Sequence, residues 1–224
     1  IYDASVYEKA KTNLEEMLSK GILLQEEKPC YYIYELTMGG IAQTGLVCCS
    51  SVDDYENDII KKHEFTRPEK EQDRINHISI TGAQTGNVFL AYRNVATLDH
   101  LIKDWKSANK PVYDFTADDG IHHRIWVIDA DETMQDITRI FAEQVPCTYI
   151  ADGHHRAASA AKVRKALGSK AGPEANSFLT TLFPADELRI LPYNRVVKDL
   201  NGYSAEELIS SLQEDFMLSS EEKP

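Results

Sequence analysis

The chain is short of cysteine: four in 224 residues, at Cys30, Cys48, Cys49 and Cys147, with no C-x-x-C pair among them. A disulfide scaffold needs more thiols in fewer residues, and a structural zinc site needs paired spacing, so neither organises this fold. The thiols read as buried side chains in a reducing cytoplasm. Long apolar runs are missing too. None approaches the roughly 18 residues that a bilayer span requires, so no membrane partner is expected. No internal repeat, low-complexity tract or Gly/Ser linker interrupts the chain. Basic residues are scarce, 24 Lys plus Arg against 36 Asp plus Glu, for a formal charge of −12. Such a protein repels a phosphate backbone, which makes nucleic acid a poor partner but leaves room for a small phosphorylated ligand in a locally basic pocket.

What is present is globular material. Hydrophobic residues make up 42% and charged residues 27%, values foreign to disorder, collagen or coiled coil. The length suits a single α/β domain over 1–224. Ile1 in place of methionine and the closing Glu-Glu-Lys-Pro read as the ends of a piece of a longer polypeptide.

Apolar spacing of three and four predicts helices over Tyr2–Lys20, Thr97–Ala108 and Ala205–Phe216, and others opening at Asp131 and after Gly153. A short helix is expected from Asp53 to Ile60. Alternation and β-branched content predict strands at Cys30–Leu36, Thr44–Val52, Val88–Tyr92, Val112–Phe115, Ile121–Asp129, Cys147–Ala151, Phe178–Phe183 and Leu188–Leu191. Met38-Gly39-Gly40 reads as a hairpin loop longer than two residues, and Asp118-Asp119-Gly120 marks a second hairpin. Hairpins among alternating strands and helices favour a mixed α/β (α+β) fold with a mixed sheet over a purely parallel one.

Chemistry concentrates in two segments. In Tyr149-Ile-Ala-Asp-Gly-His-His-Arg a short strand runs through Gly153 directly into a helix. First-turn amides lack intrahelical partners and the dipole is positive there. Gly153 lets the backbone approach a ligand closely. His154, His155 and Arg156 sit where cations are unfavourable unless an anion meets them, which points to phosphate. Asp152 can cap the helix or hold a magnesium ion beside the phosphates. Adjacent helical histidines point about 100° apart and no His-x-x-x-His spacing occurs, which disfavours zinc. The second segment, Lys61-Lys62-His63-Glu64-Phe65-Thr66-Arg67 with Asp73-Arg74 beyond it, places a glutamate and a histidine among cations. Glu64, with His63 beside it, can act as general base for a substrate hydroxyl, while Lys62, Arg67 and Arg74 stabilise transferred phosphate; the same run also reads as a solvated charged turn. His122 and His123 fall on one strand and face opposite ways, and His77 and His100 fall on helices with no discernible signal.

These two segments resemble the ParB/sulfiredoxin-like superfamily, in which a Gly-x-x-Arg-type helix start binds nucleotide phosphates. The motif region is about 53–168. The chain is more closely similar to the prokaryotic family called domain of unknown function 1015, through Pro29 to Tyr34, Thr44 to Val47, Lys62-His63-Glu64-x-Thr66-Arg67, Asp73-Arg74, Phe89-Leu90-x-Tyr92, His123-x-x-Trp126 and Ala151 to Arg156. The same pair of motifs resembles that of archaeal free-serine kinases. That resemblance implies a transfer from ADP or ATP with Mg2+ to a serine-like acceptor. Glu64 would then be the base, and Asp152, His154, His155 and Arg156 the nucleotide-phosphate and magnesium cluster. A ParB-type switch that binds nucleotide without transferring phosphate is the alternative. A sulfiredoxin-type enzyme would want cysteine where this chain has histidine, and a DNA adaptor would conflict with the −12 charge.

Overall fold

The computed structural model describes residues 3–191 and 195–219. The chain forms two compact units, Ile1–Leu188 and Arg189–Pro224. In the first unit, α1 (Ala4–Ser19) starts where the Asp3 carboxylate accepts the Ser5 amide at 2.9 Å. Tyr2, where this helix was expected to begin, lies outside the described residues. The hairpin of β1 (Tyr31–Met38) and β2 (Ile41–Ser51) turns on two residues, not the longer loop expected. Gly39 and Gly40 have φ of 59° and 80°, and two successive left-handed residues let strands with right-handed twist meet across the tightest turn. Ser51 caps α2 (Val52–Glu56), which stops short of the expected Ile60 because Ile60 is buried in a strand, β3 (Ile60–Lys61).

Next come α3 (Pro68–Thr81), with proline at its start, β4 (Val88–Tyr92), α4 (Ala96–Ala108), β5 (Tyr113–Thr116), β6 (His122–Ile128) and α5 (Asp131–Gln144). The unit closes with β7 (Thr148–Asp152), α6 (His154–Leu167) and β8 (Ser177–Pro184). The strand expected at Leu188–Leu191 does not form. Both flanks of β8 are occupied by β4 and β2, and the chain leaves through a 3-10 turn at Ala185–Glu187. The second unit contains α7 (Ala205–Gln213), started by a reciprocal cap between Ser204 and Glu207 and shorter than the expected end at Phe216.

All eight strands form one mixed sheet in the order β3-β7-β4-β8-β2-β1-β6-β5. Among the described residues only β3–β7 and β4–β8 are parallel pairs. Period-two alternation sends Ile33, Leu46, Leu90 and Trp126 to one face, where they build the core with Val52, Leu98, Ile137 and Ala157 of the helices. Glu35 is buried on that face among the side chains of Lys106, Arg124 and Thr44. Burial works to raise its carboxyl, but the two cations outweigh burial and hold it below its ordinary range.

α3 packs on α6. Between them the Glu71 carboxylate, 5% exposed, pairs with Lys162 and accepts the Thr66 hydroxyl at 2.7 Å. Ser159 donates to the Glu71 carbonyl at 3.2 Å. Burial works to raise the Glu71 carboxyl, and the bonds from Lys162 and Thr66 outweigh it. Lys162→Met leaves this buried charge unpaired and is expected to cost about 2–3 kcal/mol in urea unfolding, whereas Glu71→Gln, which removes the charge, should cost less.

Candidate functional site

Because β3 runs parallel to β7, with Ile60 opposite Thr148 and Lys61 opposite Tyr149, both strands leave the sheet at the same end. Glu64 follows β3 by three residues and His154 follows β7 by two. The carboxyl ends of parallel strands are where open α/β sheets gather ligands. Here a cleft of about 640 Å3 opens, lined by Glu64, by Lys70, Asp73, Arg74 and His77 of α3, by the Gln84–Gly86 loop and by Asp152 to Arg156. That volume lies within the usual range for small-molecule sites.

The strand-to-helix reversal rests on Gly153, whose φ of 97° is left-handed. A Cβ there would also meet the Arg156 guanidinium at 3.2–3.3 Å. No side chain caps α6. Asp152, expected as a possible cap, is instead the last residue of β7, and its carboxylate accepts the Arg156 guanidinium at 2.7 Å. Arg156 also donates to the Asn87 carbonyl, tying the helix start to the approach of β4.

The histidines have distinct settings. His154 is 4% exposed, packs edge-on against His63 at 4.5 Å between centroids, and sets Nδ1 3.6 Å from the Glu64 carboxylate. That separation is too long for a hydrogen bond. Its Nε2 is buried with no hydrogen-bond partner in the protein. Burial, reinforced by His63, pushes the His154 pKa below its ordinary value against the opposing pull of Glu64 and Asp152, which favours the neutral ring. His155 accepts the Arg67 amide at Nε2, 3.0 Å away, which leaves Nδ1 as its N–H.

The structure brings Glu64, Arg74 and Asp152 to Arg156 together in one cleft, with His63 against His154. It does not bring Lys62 or Arg67 to that lining. Lys62 lies over the Tyr55 ring at 4.3 Å and within 3.9 Å of Asp58, and Arg67 contributes its backbone amide. Sequence reasoning passed over Lys70, His77 and the Gln84–Gly86 loop. The spacing of 70, 74 and 77 puts three basic side chains on one helix face, a signal legible once α3 is recognised. His122 and His123 face opposite ways as expected, bonded to Asp114 at 2.6 Å and Tyr34 at 2.8 Å.

Among the described residues no three His, Cys, Asp or Glu side chains are grouped to hold a metal ion. Asp152, with its side chain 74% exposed, suits a cation that brings most of its own ligands, as magnesium does on nucleotide phosphates. The carboxylate would then exchange Arg156 for the ion.

Fold and cleft together define a mixed α/β protein in which a helix start at the carboxyl end of a parallel strand pair lines the cleft. Over residues 1–224 the sequence matches the family described as "Protein of unknown function (DUF1015)", and the chain belongs to that family. No curated protein and no solved structure matches it. Among the described residues no helix is long and apolar enough to cross a membrane.

Two outcomes follow from this geometry. Gly153→Ala should cost about 1–3 kcal/mol in denaturant titration, because it forces a side chain into a left-handed conformation against Arg156. His154 has an ordinary value of 6.5 that the fold lowers, so below 6.5 the unfolded chain holds a proton the folded chain refuses. Its contribution is full above 6.5 and is lost as pH falls below that value. Glu35 and Glu71, lowered from 4.5, act at lower pH. His154→Asn should therefore flatten the rise of unfolding free energy between pH 4.5 and 6.5.

Proposed function

We propose that this protein is a nucleotide-dependent phosphotransferase acting on a small hydroxyl-bearing acceptor such as free serine, on a ParB/sulfiredoxin-like core. One observation carries the reading: Glu64 and the His154–Arg156 helix start, about ninety residues apart in sequence, line the same cleft. ADP or ATP would place its phosphates over the first turn of α6, where Arg156 and, from α3, Arg74 meet their charge. A magnesium ion arriving with the nucleotide would take Asp152 as its protein carboxylate and neutralise phosphate charge. The acceptor hydroxyl lies toward Glu64. Its oxygen forms the new bond to phosphorus as the bond to the departing nucleotide phosphate breaks, and its proton passes to the Glu64 carboxylate. His63 packs on neutral His154 and supports the wall beside that carboxylate. Phosphoryl transfer asks a protein chiefly for positioning and charge stabilisation, which these groups can supply. The four free cysteines agree with a cytoplasmic setting.

The link from Asp152 through Arg156 to the Asn87 carbonyl favours a second reading, a nucleotide-responsive switch. A phosphate that captures Arg156 would loosen α6 from the approach to β4 without any transfer.

Calorimetry with ADP and ATP, with and without magnesium, separates these readings when paired with a phosphorylation assay on free serine. Glu64→Gln should lower turnover by about 100-fold or more while sparing nucleotide affinity. Arg156→Ala should weaken nucleotide binding itself by about tenfold or more. Equal binding losses from both variants would refute the assigned roles, and nucleotide bound but never consumed would favour the switch.

A further inference from the structure

The groove between α4 and α5 lies apart from the cleft at α6 and has no part in the proposed function. The two helices run antiparallel: the Thr97 hydroxyl at the start of α4 donates to Gln144 at the end of α5 at 3.2 Å, and Ala108 and Glu132 line the groove toward its other end. The hollow between them measures about 600 Å3. Its floor is apolar. Leu101, Trp105 and Ala108 recur at helical spacing along α4, and the first two rest on the core while staying partly accessible. The Trp105 ring is fixed, because its N–H donates to the Val127 carbonyl at 3.0 Å. The rim is acidic. Asp104 comes from α4 and Glu132 and Asp136 from α5, and among the described residues no Lys or Arg joins them in the lining. Lys106 of α4 is turned away to the buried Glu35. Asp136 pairs with Arg139 at 2.7 Å, whereas Asp104 and Glu132 have no ion-pair partner among the described residues.

We infer that this groove binds a basic amphipathic helix of a partner protein, with an apolar stripe flanked by lysine or arginine. Backbone chemistry selects a helix. The lining comes from α4, its cap Asn109 and α5 alone, so an extended strand would find no row of open N–H and C=O groups to pair with. A helix arrives with its own backbone bonds made. Length agrees, since α4 has 13 residues and α5 has 14, a span of about 20 Å at 1.5 Å per residue. Charge selects the sign. Carboxylates from two different helices stand on both sides of the apolar floor, where cations flanking an apolar stripe would meet them. Lysine and arginine suit such a rim because their stems cover apolar surface while their heads reach the carboxylates. An acidic helix would face unpaired carboxylates, and a second copy of this chain would bring −12 of its own.

Fluorescence anisotropy tests the assignment with a labelled peptide of leucine and lysine at helical period, matched to the 14 residues of α5. The same peptide with glutamate for lysine is its control. The lysine peptide should bind the full chain, gain helix by circular dichroism and weaken as salt is added, and the glutamate peptide should not bind. Any polycation is drawn to a chain of −12, so variants of matched charge decide the site. Asp104→Asn with Glu132→Gln should weaken binding about fivefold. Ala108→Lys, at an exposed helix position, puts a cation in the groove and should weaken it about tenfold or more. Glu8→Gln with Glu15→Gln removes the same two charges from exposed positions on α1 and should leave affinity within about twofold. Circular dichroism of each variant alone confirms that it is folded. Equal losses from the two double variants, or full binding to Ala108→Lys, overturn the groove as the site. A peptide that binds without gaining helix overturns the choice of a helix, and a lysine peptide that does not bind overturns the inference.

Discussion

The carboxylate of Glu71 lies between two helices with almost no access to water, and a charge left unpaired there costs several kcal/mol. The chain resolves this with Lys162 from the facing helix and Thr66 from the loop that carries Glu64. α3 is thereby held against α6, and the Thr66 bond fixes the loop that leaves β3. The His155 ring accepts the Arg67 amide at the same junction. Each wall of the cleft is thus joined to the others through hydrogen bonds that a shift of α3 would break. Glu64 faces the helix start because its neighbours two and three residues on are tied down.

The helix start presents an electrostatic problem with an internal answer. Two histidines and an arginine at the positive end of a helix suggest that an external anion is required. Each is instead neutralised by a different local device. His154 is buried and uncharged, His155 acts as an acceptor, and Arg156 is paired with Asp152 and the Asn87 carbonyl. Charge at this turn is therefore answered within the chain, while His154 Nε2 stays buried without a hydrogen-bond partner. An incoming phosphate must compete with Asp152 for Arg156, and a cation that occupies Asp152 relieves that competition. Under the proposed function, this coupling would make nucleotide and magnesium bind together.

Local signals were legible in the sequence wherever they were self-contained. Val88–Tyr92 alternates cleanly and is a strand with those bounds, and the Ala-rich helix after Gly153 ends at Gly168 as its glycine implies. Misreadings arose where a distant partner decides. Ile60 looks like the end of a short helix, but a parallel partner nearly ninety residues away makes it a strand. Leu188–Leu191 has strand composition but no open sheet edge beside β8 to join. Within the cleft, Glu64 and the Asp152–Arg156 turn stood out because their residue types are unusual for their positions. Lys70 and His77 looked like ordinary helix surface, and only the packing of α3 on α6 turns their face toward the cleft.

The place of the cleft follows from the strand order. The cleft forms beyond β3 and β7 at one end of the sheet, between the start of α6 and α3. Charge in the cleft is not that of the chain as a whole. There Lys70, Arg74 and Arg156 balance Glu64, Asp73 and Asp152. A local balance of charge on a chain of −12 is what the proposed phosphorylated ligand would need in order to approach a protein that repels long polyanions.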